Sequence, residues 1–82
     1  MFQAKQEGVR MIIDVREMVK RGMHPRKEII DCIHQAVKGT IFEIHLPHPG
    51  QPLISAIEQL GLDCVINELG PDHFRLLTLK ME

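Results

Sequence analysis

The chain has 82 residues, enough for one small folding unit and too few for a second hydrophobic core. Hydrophobic residues make up 44% and charged residues 26%, the balance of an ordinary globular chain rather than a disordered, fibrous or membrane one. Ten Lys and Arg against eleven Asp and Glu leave a formal net charge of -1, so no surplus of cations exists to neutralise a run of phosphates, and nucleic acid is not an expected partner.

Cys32 and Cys64 form no CxxC pair, no zinc-ribbon spacing and no dense disulfide framework. Both read as free thiols of a reducing compartment, and the expected location is the cytoplasm. Residues 1–8 (MFQAKQEG) are polar and match neither a signal peptide nor a span of about 20 apolar residues, so no membrane partner is expected. They read as a flexible tail ahead of a single domain over residues 9–82.

Residues 9–15 (VRMIIDV) are apolar at most positions and rich in β-branched side chains, which predicts a first strand. Residues 16–23 (REMVKRGM) read as a solvated loop of mixed charge, with Arg16 and Arg21 beside Glu17 and Lys20. Proline's fixed φ suits the first helical position, so a helix is predicted to open at Pro25. Over residues 25–37 (PRKEIIDCIHQAV), Ile29, Ile30, Ile33, Ala36 and Val37 recur at the spacing of one buried face. Gly39 stops this helix, Lys38 lies near the negative end of its dipole, and His34 falls on its polar face.

Residues 40–46 (TIFEIHL) alternate Phe42, Ile44 and Leu46 against Ile41, Glu43 and His45, the period of a strand with one core face and one open face. The run 47–52 (PHPGQP) breaks the strand, and Leu53, Ala56, Ile57 and Leu60 then resume helical spacing until Gly61. Residues 62–67 and 73–80 read as two strands joined by a turn over residues 68–72 (ELGPD). The predicted order is βαβαββ, with right-handed crossovers and both helices on one face of a mixed four-stranded sheet.

Asp14-Val15-Arg16, residues 22–29 (GMHPRKEI), residues 46–53 (LPHPGQPL) and the closing residues 70–80 resemble a family of small prokaryotic domains of unknown function, similar in turn to the TusA/SirA sulfur carriers. The resemblance covers most of the chain and implies a TusA/SirA-like α/β (α+β) domain, a two-layer sandwich. In those carriers the first helix opens with a Cys-Pro-x-Pro motif whose cysteine holds a persulfide. The corresponding run here is His24-Pro25-Arg26-Lys27. Imidazole cannot hold the sulfur and Lys27 replaces the second proline, so the resemblance does not carry sulfur transfer to this chain. Cys32, two helical turns further on, reads as a half-buried structural thiol.

If the first three strands run in one direction, as the resemblance implies, the loops after them share one edge of the sheet. Four of the five histidines, His24, His45, His48 and His73, would gather there as donors for a transition metal ion. No third ligand is fixed by local spacing around His45 and His48. The same edge collects the N-terminal ends of both helices, where His24, Arg26, Gln51 and the backbone of Gly50 would line a site for a small anionic ligand.

Glu43 and Arg75 are expected to form a cross-strand ion pair on the open face. Leu77 and Leu79 join Ile12 and Ile41 there in an apolar strip suited to a homodimer or to docking on a larger protein. The chain has no nucleophile elbow, no phosphate-binding glycine loop and no cysteine at a helix start. The expected class is therefore a non-enzymatic binding or accessory domain. The alternative is a divergent sulfur relay or redox protein using Cys32 or Cys64.

Overall fold

The computed structural model describes residues 3–81. Five strands, β1 (Gln3–Glu7), β2 (Arg10–Asp14), β3 (Ile41–Leu46), β4 (Cys64–Gly70) and β5 (His73–Leu79), form one sheet in the order β1-β2-β3-β5-β4. Three helices, α1 (Arg16–Lys20), α2 (Arg26–Gln35) and α3 (Gln51–Gln59), complete the α+β fold. The expected βαβαββ order persists from β2 onward, with β1 and α1 added to it. The sheet therefore has five strands rather than four, and there are three helices rather than two.

Residues 3–7 of the expected tail are strand β1, whereas residues 1 and 2 lie outside the described residues. Its sequence QAKQE has no apolar alternation to announce a strand. Pairing supplies what propensity does not: β1 lies antiparallel to β2 in a register running from Gln3 opposite Asp14 to Glu7 opposite Arg10. Gly8 turns the hairpin at φ +61, and Arg10 reaches back to Glu7 at 3.0 Å.

The expected solvated loop contains helix α1. Asp14 holds its start, accepting from the Arg16 N–H at 3.1 Å and gripping the Arg16 guanidinium at 3.0 and 2.8 Å. Gly22 ends it with φ +83: its N–H donates to the Val19 carbonyl and the next N–H, of Met23, to that of Met18, a Schellman closure. A single turn of helix is too short to display a 3.6-residue period.

Only β2 and β3 pair in parallel; β5 runs antiparallel between β3 and β4. β2, β3 and β4 thus point the same way, although β4 is bonded to neither of the others. Helix α2 buries Ile29 and Ile33, and α3 buries Leu53 and Ile57, in one cluster with Ile13, Phe42, Ile44 and Leu76 of the sheet. All these strand residues lie on one face, which places both long helices on that side. Full burial of Phe42 contributes most by volume, and such an aromatic truncated to alanine costs about 3–5 kcal/mol.

Helix α2 ends at Gln35, and Ala36 is already extended at ψ 154. Val37, expected on the buried face, is consequently exposed. The cation at its C-terminus is Lys80 from beyond β5, which donates to the carbonyls of Ile33 at 2.6 Å and His34 at 2.9 Å. We expect Lys80→Met to lower the unfolding free energy by about 1–2 kcal/mol in urea melts. The amides of Gln35 and Ala36 should lose hydrogen-exchange protection before those of β3.

Candidate functional site

The edge where β2 and β3 end carries the N-termini of both long helices. Pro25, buried, precedes α2, and Gly50, also buried, precedes α3 in a left-handed conformation at φ 66 and ψ 42. A β-carbon on Gly50 would stand 2.8 Å from Leu46 Cδ1, and Leu46 is itself core. Only glycine fits both demands. The Gly50 N–H donates to His48 Nδ1 at 3.0 Å. The neutral His48 ring therefore keeps its proton on Nε2.

Between these helix starts lies a pocket of about 390 Å³. Its apolar wall is built from Val19, Met23, Ile29, Leu46 and Leu53, and its polar lining from His24, Arg26, Lys27 and His48. No Asp or Glu lines it among the described residues. Orphan N–H groups at the two helix starts add positive partial charge to the cationic side chains. An apolar chamber with only basic groups around it can hold a small molecule that has an apolar body and an anionic end.

The opposite face of the sheet carries a second polar group. Glu43 Oε2 lies 2.8 Å from His45 Nε2, and His45 Nδ1 lies 2.9 Å from His73 Nε2. Both contacts are satisfied when His45 donates through Nε2 to the carboxylate and accepts at Nδ1 from the His73 Nε2–H. The two imidazoles are tilted by 42° with centroids 5.1 Å apart. Burial and then the charge of Arg16 hold His73 below its ordinary value of 6.5. Asp14, gripped by Arg16, is held below the usual carboxylate range.

The four rim histidines thus divide into two pairs. His24 and His48 line the pocket on the helix side, whereas His45 and His73 meet on the uncovered side. Period-two alternation separates them: Leu46 points into the pocket, so the preceding His45 must point away. Among the described residues no group of three or more His, Cys, Asp or Glu is arranged to hold a metal ion. Of the expected anion-site residues, His24, Arg26 and Gly50 line the pocket, and Gln51 begins α3 outside its lining. Lys27 and the apolar Val19 and Met23 join them, residues that residue type alone does not single out.

Glu43 and Arg75 both face the uncovered side without pairing. Glu43 takes Arg10 at 3.6 Å and His45, while Arg75 lies opposite His45 in the register. The expected strip of Ile12, Ile41, Leu77 and Leu79 lies on this face, and Leu79 is 43% exposed. Burial raises the Cys32 thiol, with help from Asp31, and also raises Cys64, with help from Glu58. Neither thiol is poised as a thiolate. Among the described residues no helix is long and apolar enough to cross a membrane. No protein-family model matches the chain, and no curated protein matches its sequence.

Two outcomes follow from this geometry. Gly50→Ala should destabilise by about 1–3 kcal/mol in denaturant melts, clearly more than Gly70→Ala, whose φ is not positive and whose added β-carbon meets nothing within 4 Å. His73, with its proton affinity lowered on folding, is charged more readily in the unfolded chain. Stability should therefore fall as pH drops through 6.5 and below. In His73→Gln the difference in Tm between neutral and mildly acidic buffer should shrink.

Proposed function

We propose that this protein is a non-enzymatic binding domain of TusA/SirA-like architecture, whose pocket between the α2 and α3 N-termini takes a small molecule with an apolar body and an anionic end. One observation carries the reading: a chamber of about 390 Å³ joins an apolar wall to His24, Arg26, Lys27 and His48 with no acidic side chain lining it among the described residues. The element order from β2 to β5 supports the architecture. His24, which the resemblance sets against the carriers' nucleophilic cysteine, lines this chamber and has no sulfur to transfer. Both cysteines have raised proton affinities, which favours binding over a sulfur relay.

Hexanoate and hexanol share an apolar body and differ in charge, so together they separate the two halves of the proposal. Hexanoate should shift the amide resonances of Arg26, Lys27 and Gly50 first, and hexanol should bind the same residues several-fold more weakly. Arg26→Ser combined with Lys27→Ser should weaken hexanoate by about tenfold, the sum of two partly exposed charge contacts of about 0.7 kcal/mol each. Equal binding of both probes, or shifts scattered over the surface, would remove the anion-binding reading.

A further inference from the structure

The uncovered face of the sheet holds a charge that no carboxylate among the described residues answers. Arg10 pairs with Glu7 and Glu43, and Arg16 pairs with Asp14, yet among the described residues no carboxylate lies within ion-pairing distance of Arg75. Its Nη2 reaches Asn67 Oδ1 only at 3.5 Å, and its Nε is buried with no hydrogen-bond partner among the described residues. A half-buried, under-bonded guanidinium is unfavourable, and water hydrates such a charge without neutralising it. The helices offer no relief, because Arg75 shares its face with His45 and not with the core.

Beside Arg75 on β5 stands His73, whose Nε2 is engaged by His45 and whose Nδ1 makes no hydrogen bond among the described residues. The charged and titratable groups facing His73 are Asp14 from β2, Arg16 from α1, His45 from β3 and Arg75 from its own strand. β4 adds only the neutral Asn67 to this row. Asp14 is already committed to Arg16. The ring thus lies within electrostatic reach of two guanidiniums, of which Arg16 is paired and Arg75 is not among the described residues, so an added negative charge would be favoured there.

We propose that this face binds an oxyanion, the carboxylate or phosphate group of a ligand, between Arg75 and His73, and that binding loads one proton onto His73. The Arg75 Nη groups supply the permanent charge. The proton comes from solvent and settles on His73 Nδ1, which then donates to the anion, while the Nε2–H bond to His45 stays in place. Glu43 fixes the His45 tautomer so that its Nδ1 remains the acceptor through both states. The site lies across the sheet from the pocket and does not depend on what the pocket holds.

Sulfate is the probe, because it stays a dianion across the working pH range and any pH dependence then belongs to the protein. The full chain is titrated at constant ionic strength, with chloride as the balancing salt, and all histidine rings are followed by NMR. Shifts should concentrate on His45, His73 and Arg75. The His73 midpoint should rise by about half a pH unit or more, and affinity near pH 5.5 should exceed that near pH 7.5 by about threefold or more. Arg75→Gln should weaken sulfate by about fivefold or more, and His73→Gln should bind weakly with no pH dependence. The His73 midpoint with and without sulfate decides the matter in the unaltered protein, whatever the folding of the variants. A midpoint that does not move, or shifts spread evenly over every basic side chain, would overturn the proposal.

Discussion

Strand β3 governs the rest of the molecule, because it stands at the centre of the sheet, parallel to β2 on one side and antiparallel to β5 on the other. Its alternate residues Phe42, Ile44 and Leu46 are buried under the helices, and a slip of one residue would drive Glu43 and His45 into that core. The cost of burying two unpartnered polar groups there fixes the register far more firmly than hydrogen bonding alone. With the register fixed, Leu46 becomes part of the pocket and His45 is aimed at His73.

The two sides of the sheet are therefore coupled in construction but separate in chemistry. On the helix side, positive character comes from Arg26, Lys27 and the helix starts. On the uncovered side, charge is conditional: Arg75 is fixed, whereas His73 responds to solvent acidity and to the groups around it. Asp14 stands at the join between these regions. It orders Arg16 at the start of α1, and α1 supplies Val19 to the pocket wall.

Much of the fold could be read from residue patterns. The alternation from residue 40 to residue 46, the isoleucine spacing of α2 and the glycine and proline punctuation each reflect a local rule, and each appears in the structure within a few residues. What escaped depended on partners distant along the chain or on lengths too short to show a period. QAKQE is a strand only because β2 lies beside it, and REMVK is helical for one turn. Lys80 caps α2 from 46 residues away, which no local signal at Lys38 could reveal. For the site, residue type and edge position point to His24, Arg26 and Gly50, but residues that share an edge of the sheet need not share a face. The alternation that placed Glu43 and His45 outward already required that His45 turn away from His48.

The polar character of β1 has a consequence for the chain's conduct among its own copies. It occupies the flank of β2, whose Met11, Ile12 and Ile13 would otherwise offer an apolar, hydrogen-bonding border to any passing strand. With Lys5, Gln6 and Glu7 outermost, that border is replaced by one that repels or hydrates an intruder. A chain that begins at residue 9 would keep every core side chain and both polar sites, yet it would lose this guard. Its greatest weakness would then be aggregation through strand addition rather than unfolding.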